Sequence, residues 1–193
     1  MNKQDNVSII FGDSITYGLY DKEMCGWVNR TRYILENKTE NNYIVNLGIP
    51  GQNSSDIKNR FELELKNRYN NTDNFILIFA IGIKDALILN TDKKHINTFH
   101  NNIKYIIDKT RKYTNNIYFI GLISPDYKTR KEYTKENVHK IDDILKNICK
   151  QEKVKYIKIL DKIGTKLLVD GLHPNNKGHQ KIADIIIEKI YQN

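Results

Sequence analysis

Apolar residues along this chain alternate between two patterns. Short unbroken runs occupy residues 7–12, 43–47, 74–82, 117–123 and 156–160. Between them lie longer stretches in which apolar positions recur every three or four residues. An unbroken β-branched run of that length predicts a strand buried on both faces, the kind found in parallel sheets, and the three-to-four spacing predicts an amphipathic helix. The helical stretches are 23–37, with Trp27, Val28, Tyr33, Ile34 and Leu35, and 54–69, with Ile57, Phe61, Leu65 and Arg68. They continue with 92–113 (Ile96, Phe99, Ile103, Ile106, Ile107), 135–152 (Val138, Ile141, Leu145, Ile148) and 182–190. Trp27 reads as core, Ser54 or Ser55 as the cap of its helix, and residues 83–87 as a loop or short helical turn.

Five strands alternating with helices predict an α/β fold, a five-stranded parallel sheet with helices on both faces and right-handed crossovers. With 193 residues and no internal repeat, low-complexity tract or linker, one domain spanning 1–193 is expected.

Composition narrows the function classes. The formal charge of +8 raises the question of nucleic acid. The lysines are nevertheless spread over every expected helix among Asp, Glu and Asn, without a compact basic block, so the charge reads as a solvated surface able to draw in anionic substrates. The polar segment 1–6 runs directly into the first strand without a signal-peptide pattern, and no apolar run reaches the roughly 20 residues that cross a bilayer. The protein therefore reads as soluble and cytoplasmic, without membrane span or nucleic-acid partner. Cys25 and Cys149 stand far apart and outside any CxxC pair. They support neither a disulfide nor a zinc site, and buried thiols are the expectation.

The first run stops at Gly12-Asp13-Ser14, which places Ser14 at the carboxyl end of a strand, where open α/β sheets put their ligands. A serine hydroxyl is a weak nucleophile until an imidazole takes its proton, and the imidazole needs a carboxylate to fix its tautomer. Asp170 and His173, three apart in a loop held by Gly171 and Pro174, can supply both. The oxyanion of an acyl-transfer intermediate needs donors, and the amides of Ser14 and Gly48 fit that role. The other serines have structural contexts. Asp13 and Asp85 read as braces of their turns, His95, His100 and His139 as surface or helix-face residues, and His179 as structural.

These residues resemble the SGNH, or GDSL-type, hydrolases. Gly12-Asp13-Ser14-Ile15-Thr16 is similar to the family's nucleophile block, Asn46-Leu47-Gly48 to its second block, and Asp170-Gly171-Leu172-His173-Pro174 to its closing Asp-x-x-His block. The resemblance spans most of the chain in the right order. It implies a flavodoxin-like three-layer α/β/α sandwich with strand order 2-1-3-4-5, no cofactor, and hydrolysis of esters or acyl groups on sugars, lipids or thioesters. One block departs: the family's Gly-x-Asn-Asp reads Gly82-Ile83-Lys84-Asp85 here. Lys84 thus stands where the family's third oxyanion donor is an asparagine amide, and an ammonium on a four-carbon stem is a less preorganised donor.

The expectation is a serine esterase or deacylase acting on a small acyl ester, possibly anionic, with Ser14, Asp170 and His173 as the triad and Lys84 binding substrate. An acyltransferase would use the same residues. A ligand-binding module that kept the pocket is the alternative from a different class, and a flavin or phosphate binder lacks both a GxGxxG and a Walker sequence.

Overall fold

The unbroken apolar runs pair side by side. In this computed structural model, which describes residues 4–38 and 41–192, they form β1 (Asn6–Gly12), β2 (Asn42–Gly48), β3 (Asn74–Ala80), β4 (Ile117–Ile120) and β5 (Lys155–Ile157). All pairings are parallel and the order is β2-β1-β3-β4-β5, the expected one. Gly12 lies opposite Gly48 on one side and Ala80 on the other, so β2, β1 and β3 end level and their following loops share one edge. Residues 1–3 of the polar leading segment lie outside the described residues.

The connections are α1 (Ser14–Tyr17), α2 (Trp27–Glu36), α3 (Ser54–Lys66), α4 (Ile83–Ile88), α5 (His95–Thr110), α6 (Lys135–Gln151) and α7 (Asn176–Ile186). Helices α2 and α7 pack together, while α3 packs on α5 and α5 on α6. At the centre Phe79 stacks between Phe11 and Phe119, with ring centres 5.4 and 5.1 Å away, and Phe61 of α3 meets Phe11 and Phe79 edge-on. All four rings are fully buried. Each contributes about 1.5–3 kcal/mol through the apolar surface it removes from water. Trp27 is buried as expected, as are Ile57, Phe61, Leu65 and the inward positions of α6.

Several boundaries differ from the sequence reading, for identifiable reasons. Helix α2 begins at Trp27, not Glu23, because the Asp21 carboxylate takes the amides of Glu23, Met24 and Gly26 and holds that stretch as a turn. Helix α3 is capped by Asn53, whose Oδ1 accepts from the amides of Ser55 and Asp56 while Asp56 answers the Asn53 amide. Strand β4 stops at Ile120, since the Leu122 amide turns to Asp142 Oδ1 at 2.8 Å. The last helix starts six residues before Ile182, at Asn176, with Asn175 accepting from the Gly178 amide. Cys149 is buried, which pushes its thiol up to about 12, whereas Cys25 is exposed, contrary to the expectation of two buried thiols.

His95 is also not a surface residue. Its Nε2 meets the Oδ1 of the fully buried Asp85 at 2.7 Å. The same carboxyl accepts from the Ser54 amide at 3.0 Å and the Ser54 hydroxyl at 2.6 Å, and Asn102 of α5 donates to the hydroxyls of Ser54 and Ser55. Ser54 is therefore a link from α3 to the α4 turn. His100 and His139 lie half-buried on their helices, as expected of helix-face residues.

Candidate active site

Ser14 opens α1 directly after β1. Asp13 caps that helix, its Oδ1 accepting from the Ile15 amide at 2.9 Å, and burial pushes the Asp13 carboxyl up to about 6. As the first residue of a helix, Ser14 has an amide that no preceding helical carbonyl can engage. Its hydroxyl is nearly buried and lies 2.8 Å from His173 Nε2.

His173 comes from the opposite end of the chain. Asp170 Oδ1 accepts from the amides of Leu172 and His173, at 3.0 and 2.8 Å, which folds residues 170–173 into a tight turn. Gly171 allows this turn: its φ is +81°, and a Cβ there would come within 2.9 Å of Thr129 Cβ. The other carboxylate oxygen, Oδ2, meets His173 Nδ1 at 2.8 Å. Burial alone would raise Asp170, but the two amides and the ring outweigh it and hold the group below its ordinary value. An ionised carboxylate only accepts, so the neutral ring carries its proton on Nδ1 and presents Nε2 as an acceptor to the Ser14 hydroxyl. The structure thus brings Ser14, His173 and Asp170 into one hydrogen-bonded line.

His179 is buried and structural. Its Nδ1 accepts from the Trp27 amide at 3.2 Å and its Nε2 donates to the Leu19 carbonyl at 3.1 Å; burial lowers it from its ordinary value. With the Asp21–Arg30 ion pair at 2.7 Å, it fixes the loop carrying Tyr20, whose ring centre stands 5.5 Å from that of His173.

A cleft of about 260 Å³ opens above the serine. Ser14 and His173 line it together with Gly51, Lys84, Arg130 and Tyr133. Lys84 sits in the first turn of α4, beside the anchored Asp85, and is half-buried. Among the described residues it has no hydrogen bond or ion pair.

Gly48 does not meet its expectation as an oxyanion donor. Its amide donates to Asn46 Oδ1 at 2.9 Å, and a Cβ there would lie 2.2 Å from the Tyr17 nitrogen, so the glycine serves the close packing of β2 against α1. It lines a neighbouring depression with Tyr17 and Tyr20. Gly51, three residues later in the same turn and at φ +82°, is the glycine that lines the Ser14 cleft.

Sequence reasoning also missed Arg130 and Tyr133. Arg130 Nη1 donates to Asp170 Oδ2 at 3.2 Å, its Nε pairs with Glu132 at 2.6 Å, and its guanidinium lies over the Tyr133 ring. Burial pushes the Tyr133 hydroxyl up to about 12. Nothing in the polar connection 121–134 marked these two, because only the fold carries that loop to the His173 turn. No group of His, Cys, Asp or Glu among the described residues is arranged to hold a metal ion. No helix among them is long and apolar enough to cross a membrane.

Comparison with known proteins fits this geometry. A search of curated proteins finds no match. Among solved structures, the chain is similar to Axe2, an acetylxylan esterase from Geobacillus stearothermophilus, with a TM-score of 0.79 at 17% identity over 99% of this chain and 97% of that one. It is also similar to a member of the lipolytic G-D-S-L family from Veillonella parvula, with a TM-score of 0.78 at 19% identity over 97% of this chain and 100% of that one. The alpha/beta hydrolase LAE5 from the metagenome of Lake Arreo gives 0.77 at 17%, over 96% and 94%. At these identities the likenesses establish the fold. The family model for GDSL-like lipases and acylhydrolases matches residues 10–181, a span that runs from before Ser14 to beyond His173. The chain belongs to the GDSL-like lipase/acylhydrolase family, a family of carboxylic ester hydrolases.

Proposed function

We propose that this protein hydrolyses a small acyl ester through an acyl-enzyme on Ser14. The observation that carries the reading is the line from Ser14 Oγ to His173 Nε2 and from His173 Nδ1 to Asp170 Oδ2, 2.8 Å at each step. Ser14 Oγ attacks the ester carbonyl carbon as its proton passes to Nε2, and Asp170 stabilises the imidazolium that forms. Collapse of the tetrahedral intermediate breaks the bond to the alcohol oxygen, which leaves with the proton from Nε2. Water then attacks the acyl-enzyme, gives a proton to the same nitrogen, and the carboxylic acid departs as Ser14 regains its hydrogen.

The oxyanion requires N–H donors facing the cleft. We assign this role to the backbone amides of Ser14, at the first position of α1, and Gly51, in the cleft wall, in preference to the engaged amide of Gly48. Lys84 replaces the third, side-chain donor. Arg130 is already held by Glu132 and Asp170, which among the described residues leaves Lys84 as the cation of the cleft free to receive a carboxylate or phosphate on the substrate. Because Axe2 is an acetylxylan esterase, acetyl groups on sugars are the first neutral esters to try.

The test is hydrolysis of a short-chain aryl ester by purified wild-type and Ser14→Ala protein. Loss of a nucleophile from such a triad costs on the order of 10⁶-fold in kcat, and His173→Ala should fall nearly as far. A Ser14→Ala protein with undiminished esterase activity overturns the assignment.

A further inference from the structure

The connection between β4 and α6 touches the His173 turn at three points. The Asp126 amide donates to the Gly171 carbonyl at 2.7 Å. Thr129 and Arg130 fill the space that a side chain at Gly171 would need. Arg130 Nη1 reaches Asp170 Oδ2 at 3.2 Å, the same oxygen that receives His173 Nδ1 at 2.8 Å. The guanidinium is aimed from two further sides, by Glu132 Oε1 at 2.6 Å and by the Tyr133 ring, 5.8 Å from its centre. Its side chain is 25% exposed, so water screens the contact only in part.

From this shared oxygen we infer that Arg130 is a positioning residue of the triad, holding Asp170 against His173 while drawing part of the carboxylate's charge away from the ring. The inference rests on the proposed role of Ser14, His173 and Asp170. An oxygen that accepts from a guanidinium and an imidazole at once is a weaker partner for each, and a fixed cation nearby opposes a second positive charge on the ring. The consequence is a trade. The imidazolium formed during acyl transfer is stabilised less than by an unshared carboxylate, but Asp170 is held where it keeps His173 Nε2 turned to the Ser14 hydroxyl. Other charged or titratable groups face His173 too: Asp13 from the β1–α1 turn, Lys84 from α4, and His179 from α7. Burial pushes the Asp13 carboxyl up to about 6, but it is present in every variant below, so differences between variants are read against a common background.

The experiment is the rate of inactivation by a fluorophosphonate between about pH 4.5 and 9, which reads the competence of the serine without knowledge of the natural ester. Arg130→Gln should move the acid limb of this profile upward by about half to one pH unit, slowing inactivation roughly 3- to 10-fold below it. Arg130→Lys, which keeps the charge, should hold the limb close to wild type. Glu132→Gln removes the competing anion and should move the limb downward, which decides the matter even if Arg130→Gln fails to fold. An unmoved limb in Arg130→Gln, an Arg130→Lys limb displaced as far as that of Arg130→Gln, or an upward or absent shift in Glu132→Gln overturns the inference. A wild-type protein that takes no label at any pH overturns the serine-hydrolase reading and this inference with it. A labelled wild type with unmoved variants overturns this one alone.

Discussion

On the proposed function, Lys84 is the residue whose side chain most changes what the cleft can recognise. It stands half-buried in the first turn of α4, lining the space that Ser14 and His173 face. If it binds a negative charge on the substrate, Lys84→Asn restores the amide donor while removing the cation. Activity toward neutral esters should then rise, by up to about 10²-fold if the amide reaches the oxyanion, while activity toward a matched carboxylate-bearing ester falls. Kinetics on such a matched pair check this, and a uniform gain on both esters defeats the anionic reading. At this scale the sequence disclosed what chain order alone can place. Gly12-Asp13-Ser14 and Asp170-x-x-His173 lie at the ends of the chain, and the structure sets them within hydrogen-bond reach. Gly48 was misjudged because a glycine in a turn is legible but the side chain that occupies its amide is not: Asn46, two residues earlier, takes that hydrogen bond. Arg130 was invisible for a related reason, since its partner is 40 residues away in sequence.

Among the elements, α3, α4 and α5 meet at one buried carboxyl. Asp85 receives two bonds from Ser54 and one from His95, and through this knot the turn carrying Lys84 is held beside the serine. Asp85 raises His95 above its ordinary value of 6.5. A His raised on folding stabilises the folded state fully below its unfolded value and loses that contribution as pH rises through the higher folded value. His95→Gln should therefore cost about 1.5–3 kcal/mol near pH 6, the worth of a hydrogen bond to a charged group, and less by pH 9. Denaturant unfolding of both proteins at the two pH values measures this, and a difference that widens toward pH 9 contradicts it. The elements themselves were largely legible from periodicity, because unbroken apolar runs and three-to-four spacings report burial directly. Their ends were less so. Helix α2 starts four residues late because Asp21 gathers the amides before it, and α7 starts six early because Asn175 caps a polar first turn that shows no apolar period.

In the whole molecule, the sheet order and the level ends of β1, β2 and β3 carry the β1–α1 turn, the Gly48–Gly51 turn and the α4 turn to one edge, and the 170–173 turn arrives there from beyond β5. That convergence is what sequence can argue from alternation and crossover handedness alone, and it is why residues 159 apart in sequence can share a proton. The net charge of +8, spread over the whole chain, would assist the encounter with an anionic ester. The claim on which the rest depends is that the edge holds an activated serine. Treatment of the purified protein with a fluorophosphonate, followed by peptide mass mapping, tests it most directly. One adduct is expected, on Ser14, formed rapidly by the wild type and lost in His173→Ala; an adduct on another residue, or a Ser14 that stays unlabelled in folded protein, would contradict an activated serine at this edge.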